Sequence, residues 1–314
     1  MAKKLTIMDI AKLAGVGKST VSRVVTNDPK VKASTREKVE RVIQESGFIP
    51  SKSAQVMGGG SAKVIGIILS RLSSPSENQV VSGLLEVIYA NGYDALIMEG
   101  LFSASKTNEH LDVLQKRHVD GVIMFGFTGF DLQAVEKLGP KAVVIAVDSE
   151  SVSSVGYDNH GMIQQAMQHL QKLGKQNISF IGVNPNDKTT GFMRLNAYLD
   201  YCKQHSLQAT FQTGELSHHN GYELTDLVLT DDTEAIVCAS DTLAMGVAKR
   251  LQELNRSDVL VSGIGATDML AFLFQNTFSI DPGYFQAGQS AADLLFKQLS
   301  GDHRVVHLTQ SASL

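Results

Sequence analysis

A chain of 314 residues has room for a small head and then one large or two ordinary domains with full cores. No run approaches the 18 or so apolar residues of a transmembrane helix and no apolar leader opens the chain, so the expectation is a soluble, cytoplasmic protein that does not meet the membrane. Two cysteines, Cys202 and Cys238, both in apolar surroundings, suit a reducing compartment and exclude a disulfide framework.

The net charge of −4 conceals an asymmetry. Residues 1 to 60 carry eleven Lys/Arg against five Asp/Glu, which leaves seventeen against twenty-seven for the remainder. A positive head supplies sequence-independent attraction to phosphates, while an acidic body stays off the duplex.

In chain order, the first element is a helix-turn-helix. Ile7, Ile10, Ala11 and Ala14 recur at helical spacing, and Gly15 supplies the tight turn that ends the first helix. A second helix opens near Gly17, buries Val21, Val24 and Val25, and presents Lys18, Ser19, Thr20, Ser22 and Arg23. Short hydroxyl side chains let such a helix lie close to DNA, and one Arg can grip guanine or a phosphate. A third helix, Thr35 to Ile43, brings Val39, Val42 and Ile43 against the first two and ends at Gly47. A generic three-helix bundle with a solvated face shares this periodicity. The turn glycine, the hydroxyl-rich face and the charge segregation favour the DNA reader.

Between Pro50 and Ser61 the sequence predicts a short helix over Ser51 to Met57, stopped by Gly58, Gly59 and Gly60. So short a helix forms only when docked, and a plain linker remains the open alternative. Ala54 and Met57 share one face, from which an apolar tip can wedge into a base step through the minor groove.

Beyond Ser61 apolar runs alternate with amphipathic helices. Strands are predicted over Lys63 to Leu69, Tyr93 to Met98, Val119 to Phe125 and Ala142 to Ala146, with helices around Asn78 to Ala90, Asn108 to Lys116 and Asp131 to Leu138. After Tyr157 the cycle repeats: helix Gly161 to Leu173, strand Ile178 to Gly182, helix Gly191 to His205, strand Ala235 to Ala239, helix Thr242 to Leu254, strand Val259 to Ile264. Two doubly wound α/β lobes follow, with ligands expected beyond the carboxyl ends of the strands.

These residues carry a resemblance. Ile10-Ala-x-x-Ala-Gly-Val16, Thr20-Val-Ser-Arg-Val24, Thr35-Arg-Glu-Lys-Val39, Gly47-Phe-Ile-Pro50 and Cys238-Ala-Ser-Asp-Thr-Leu-Ala-Met-Gly246 resemble the LacI/GalR family of bacterial repressors over essentially the whole chain. Ser70 to Asn78, Met124 to Gly129, Thr189 to Gly191, Ala197 to Leu199 and Asp281 to Tyr284 are similar to the branch of that family governing trehalose operons. The resemblance implies an all-α head (1–49), a hinge (50–61) and a two-lobed, periplasmic-binding-protein-like core (62–314). It places lobe one near 62–157 and 284–306, lobe two near 158–282, with crossings near Tyr157, Asp281 to Gly283 and Val306 to Thr309. A helix Gln286 to Leu299 returns to lobe one.

It further implies a homodimer on a pseudo-palindromic operator, a sugar effector, and trehalose 6-phosphate or trehalose as that effector. Thr6, Lys18, Ser19, Thr20, Ser22, Arg23 and Thr35, with Ala54 and Met57 of the hinge, are the expected DNA contacts. Arg71, Glu77, Gly126 and Asp148 from lobe one, and Asp187, Lys188, Thr189, Thr190, Arg194, Asp241, Thr242 and Tyr284 from the other side, are the expected effector contacts. Carboxylates and Arg pair with sugar hydroxyls, and Tyr offers a stacking face.

Five departures stand out. Lys32 replaces the Ser that caps the third helix in the family, Gln55 replaces a hinge Arg, and Met57 replaces a wedging Leu with similar volume. Val147 stands where the resemblance implies a second phosphate-gripping Arg; either Lys188 supplies that charge from across the cleft, or Lys188 is solvated and the sugar is uncharged. Gly265, Ala266 and Thr267 stand where an acidic residue is implied.

No metal or cofactor is expected. His218 and His219 lack a zinc-like partner interval and read as an exposed loop pair, Asp231 and Asp232 as the flank of a strand, and the Gly58 to Gly60 run precedes a strand instead of following one. A sugar-processing enzyme needs a catalytic base that the strand ends do not offer. A transport binding protein shares the lobes but has no helix-turn-helix. The favoured reading is a repressor of a sugar uptake or catabolic operon. Another sugar, or a corepressor, stays open, although the resemblance favours release of DNA by the effector.

Overall fold

A computed structural model describes residues 5–26, 28–48, 61–147 and 149–314. The hinge expectations, with Ala54, Gln55 and Met57, lie outside the described residues, as does Asp148.

Three helices form the head: α1 (Ile7–Leu13), α2 (Lys18–Val25) and α3 (Ala33–Ser46). Gly15 adopts φ +58°, the left-handed turn that lets α2 leave α1, and Gly47 ends α3 the same way. Ile10, Ala11, Ala14, Val21, Val24, Val39 and Phe48 close a small core, with Val25, Val42 and Ile43 half-buried at its rim. Helix α3 starts at Lys32, whose side chain makes no capping hydrogen bond. Lys32→Ser should therefore stabilise the head by about 1 kcal/mol, read as a higher melting midpoint of the head's helical signal; no shift would mean the backbone there is already solvated adequately.

The core holds two parallel sheets. In the first, β1 (Val64–Leu69), β2 (Asp94–Glu99), β3 (Gly121–Phe125), β4 (Ala142–Ile145), β5 (Ser153–Tyr157) and β11 (His307–Gln310) lie in the order β11-β5-β4-β3-β1-β2. In the second, β6 (Ile178–Val183), β7 (Thr210–Gly214), β8 (Ala235–Cys238), β9 (Leu260–Ile264) and β10 (Thr277–Ile280) lie in the order β10-β9-β8-β6-β7. Central strands such as Ile178–Val183 are buried along their length because helices cover both faces, so they read as unbroken apolar runs. No helix among the described residues is long and apolar enough to cross a membrane.

The connecting helices are α4 (Pro75–Ala90), α5 (Ala104–Lys116), α6 (Leu132–Glu136), α7 (Asn159–Lys172), α8 (Arg194–Gln204), α9 (His218–Val228), α10 (Asp241–Glu253), α11 (Asp268–Leu273) and α12 (Tyr284–Leu299). Helix α12 returns to the first lobe against α4, and the two backbones nearly touch: a Cβ on Gly83 would stand 2.0 Å from the Phe285 carbonyl oxygen. Strand β11 pairs with β5, so the chain of the first lobe extends through Gln310.

Several details differ from the sequence expectations, among them helix α11 and strand β10, which that reading did not include. Strand β7 and helix α9 went unread, because β7 is a half-exposed polar edge strand and α9 opens on His218 and His219. That pair is helical, not a loop, and His219 faces Glu223 at 3.0 Å. The predicted helix from Gly191 begins as a wide π-type turn, Lys188–Met193, and becomes regular at Arg194.

Candidate effector cleft and DNA-reading face

The carboxyl ends of the two sheets face each other, so residues following the strands meet in one cleft. Its inner cavity, about 120 Å³, is lined by Arg71, Glu77, Gly126, Tyr157, Asn159, Asp187, Thr189, Thr190, Arg194 and Tyr284. Asp241 and Thr242 line a small pocket adjoining it through Arg71, Arg194 and Tyr284. Lys188 and Val147 both line an outer cavity of about 750 Å³ that shares Gly126, Phe127, Ala146 and Thr189 with the inner one.

Arg194 is only 2% exposed. Its Nε donates to Asn159 Oδ1 at 2.8 Å, Nη1 to the Ala239 carbonyl, and Nη2 to the Tyr284 hydroxyl at 3.5 Å. All three acceptors are neutral, and among the described residues no carboxylate is within ion-pairing distance. A buried cation so placed favours an acceptor-rich ligand.

Glu77 sits in the first turn of α4, whose N-cap is Ser74. Its Oε2 accepts from the backbone N–H of Ser70 at 2.8 Å and of Arg71 at 3.4 Å, which folds the β1–α4 loop back over the carboxylate. Burial pushes the carboxyl up to about 7, against the lowering effect of those hydrogen bonds. The folded state thus binds this proton more tightly than the unfolded chain does. The contribution is fully present below the ordinary glutamate value and fades as pH rises through about 7. Glu77→Gln keeps an oxygen acceptor and should flatten that part of the melting-temperature profile; an unchanged slope between about pH 4 and about pH 8 would contradict it.

Asp187 caps the wide turn: its Oδ1 accepts from the N–H of Thr189 and of Gly191, both at 3.1 Å. The Asp241 carboxylate is less free than its position at a strand end implied. It accepts from Ser279 Oγ at 2.6 Å and from both the N–H and hydroxyl of Thr267, so it ties the β9 loop to α10. Burial pushes its carboxyl up, and those hydrogen bonds pull it back down. Gly126 is required by its neighbour: a Cβ there would stand 1.9 Å from Val147 Cγ2.

Hydrogen bonds already bridge the lobes. Gln79 Nε2 donates to the Gly265 carbonyl at 2.8 Å, and the Lys188 N–H donates to Thr128 Oγ1 at 3.3 Å. Sequence reasoning missed Gln79, Phe102, Asn159 and Tyr157 as cleft residues. Asn159 and Tyr157 were within reach of the strand-end rule, because they lie at and just after the end of β5. Gln79 lies a turn into α4, and only the fold brings it to the second lobe.

On the head, Lys18, Ser19 and Arg23 are exposed on α2, while Thr20 and Ser22 are half-buried. The Arg23 side chain is 64% exposed and its Nε lies 3.8 Å from Asp28, so it is steered but free to reach outward. Thr35 is half-buried in the first turn of α3. Thr6 is otherwise engaged: its hydroxyl donates to Asp9 Oδ2 at 2.7 Å and accepts from the Asp9 N–H, a capping box that starts α1.

A basic, exposed helix on a three-helix head joined to a cleft between two parallel sheets is an arrangement that comparison with known proteins can test. The profile described as "Bacterial regulatory proteins, lacI family" matches residues 6–51, and "Periplasmic binding proteins and sugar binding domain of LacI family" matches residues 62–300. The chain belongs to the LacI family of bacterial regulatory proteins. This LacI-family member is a transcription regulator and not an enzyme. It is 45% identical over 301 residues, 96% of each chain, to the HTH-type transcriptional regulator TreR of Salmonella typhimurium. Its core is similar to the solved trehalose repressor from Escherichia coli, at 39% identity and a TM-score of 0.78 over 80% of this chain and 98% of that one. It also shares the fold of the lac repressor dimer bound to operator and the anti-inducer ONPF, at 22% identity and a TM-score of 0.85, over 99% of this chain and 97% of that one.

Proposed function

We propose that this LacI-family regulator represses a trehalose uptake or catabolic operon, and that trehalose 6-phosphate, or trehalose, entering the cleft releases it from its operator. The observation that carries the reading is Arg194, a buried guanidinium with neutral partners at the centre of an interlobe cleft, in a chain that is 45% identical to a TreR along nearly its whole length. A homodimer places two α2 helices on two half-sites, with Lys18, Ser19, Thr20, Ser22 and Arg23 toward the groove, Thr35 near the backbone, and Ala54 and Met57 at the minor groove. The division into head, hinge and core near residues 49 and 61 fits the gap between the two profile matches.

In the cleft, Arg71, Glu77, Asp187, Thr189, Thr190, Arg194, Thr242 and Tyr284 contact the sugar, and Gly126 leaves room for it. Asp148 belongs to the same set by sequence position. Lys188 supplies the charge that Val147 does not, because both line the outer cavity from opposite lobes. Calorimetry of trehalose 6-phosphate against trehalose tests the reading. The phosphorylated sugar should bind more tightly to the wild type, and Lys188→Ala should erase most of the difference. Equal affinity of the wild type for both sugars would remove Lys188 from the site. Binding of neither would remove the effector assignment.

A further inference from the structure

Glu77 lines the inner cavity together with Arg71 and Arg194, and with Val147 further out, Arg71 is the single cationic side chain that lobe one contributes to that lining. Among the described residues no Lys, Arg or His lies within ion-pairing distance of the Glu77 carboxylate. Its anchors are backbone: Oε2 accepts from the N–H of Ser70 and of Arg71, so the segment that carries the cation also cradles the carboxylate. With Oε2 engaged twice, a proton goes to Oε1.

The charged and titratable groups around it come from every element that packs there. Arg71 belongs to its own loop; Glu99 of β2 holds the same loop through Oε1, which accepts from the Leu72 N–H at 2.7 Å; Tyr157 comes from β5, Tyr284 from α12 and Arg194 from α8. Asp187 closes the inner cavity from the wide turn, Asp241 borders the adjoining pocket, and Lys188 stands in the outer cavity. Desolvation holds the Tyr157 phenol above its ordinary value, so it stays neutral beside Glu77. Ionised Glu77 offsets Arg71, and a phosphate dianion then meets a lobe-one wall that is close to neutral. With Glu77 protonated, the same dianion meets a cation and a hydrogen-bond donor.

We propose that binding of a sugar phosphate in the cleft draws one proton from solvent onto Glu77 Oε1, so that operator release is proton-linked and needs less sugar as pH falls. The inference rests on the cleft taking an anionic sugar as described above. One proton moves from water to one carboxylate, and no bond of the sugar forms or breaks. Burial already brings the Glu77 carboxyl to about 7, and an anion placed against Arg71 raises it further. Below that value the site holds its proton in advance; above it the proton must be taken up on binding, which lowers the affinity as pH rises.

The test is calorimetry of the full-length chain with trehalose 6-phosphate in buffers of different ionisation heat, which counts the protons exchanged. At about pH 8 the phosphate is already dianionic, its second pKa being about 6, so a proton taken up there belongs to the protein. The wild type should take up about one proton per sugar at about pH 8 and bind about fivefold more weakly there than at about pH 7. Glu77→Gln keeps an oxygen acceptor but cannot titrate, so the uptake and the pH dependence should both vanish, whatever its affinity. Glu99→Gln should keep both, and trehalose, which brings no charge, should show little of either. Binding of trehalose 6-phosphate without proton uptake, uptake that survives Glu77→Gln or is lost in Glu99→Gln, or equal uptake with trehalose overturns the coupling and leaves the sugar site standing. Binding of neither sugar to the wild type at either pH overturns the reading of the cleft itself, so the two failures are distinguishable.

Discussion

Arg194→Ala should hold its operator as tightly as the wild type while needing about a hundredfold more sugar for half-release. The side chain makes hydrogen bonds only within the cleft and none to the head, so DNA binding has no reason to change. Charge-assisted hydrogen bonds to a ligand contribute about 1.5–3 kcal/mol each, and losing one or two accounts for that factor. The fold should survive. Removing the guanidinium leaves Asn159 and the Ala239 carbonyl without this donor, yet it also removes a buried charge whose partners are all neutral, and the two effects oppose each other. Arg194→Lys keeps the charge but not the planar fork that reaches Asn159, Ala239 and Tyr284 together, so it should fall between. Operator anisotropy titrated with trehalose 6-phosphate reads all three proteins. A wild-type release curve for Arg194→Ala would take this residue out of the effector site.

Arg23→Ala should do the reverse, weakening the operator about ten- to a hundredfold and leaving sugar binding untouched. Bidentate contact of an Arg with a base contributes about 1–3 kcal/mol of discrimination. Arg23 is the side chain of α2 best placed for it, being exposed, long and only loosely held by Asp28. If it grips a phosphate instead, the loss should be nearly uniform across DNA sequences and the slope of affinity against salt should fall by about one charge. Binding at two salt concentrations, on operator and on random duplex, separates the cases. Undiminished operator affinity would remove Arg23 from the reading face.

The head was legible because its physics is local. Gly15, the Val21 and Val24 spacing and the exposed Lys18, Ser19 and Arg23 are set within one or two helical turns, and the structure places them accordingly. The parallel strands were legible because burial on both faces leaves unbroken apolar runs, as in Ile65 to Leu69. Strand β7 lacks that signature, since Thr210 to Gly214 form a polar edge, and α9 shows its buried Gly221, Leu224, Thr225 and Val228 only when the helical period is counted past two histidines. The cleft was legible in part. Strand ends point to Arg71, Gly126 and Asp187, but the partners that occupy the Asp241 carboxylate, Thr267 and Ser279, lie 26 and 38 residues away in sequence. Nor does any local pattern bring Phe127 and Phe192 to one cavity, because they line it from different lobes.

In this account, the arrangement of the lobes decides whether the two heads can hold DNA together. An effector acts only through unequal affinity for the two arrangements, and about 3 kcal/mol of such coupling moves operator affinity about a hundredfold. The interlobe hydrogen bonds of Gln79 with Gly265 and of Lys188 with Thr128 are the groups whose geometry any lobe movement must change. The most direct measurement is operator affinity of the full-length protein as a function of trehalose 6-phosphate concentration. The prediction is a saturable fall of about two orders of magnitude, with trehalose acting at higher concentration. An operator affinity that stays flat, or rises, through sugar concentrations that calorimetry shows to fill the cleft would contradict the account.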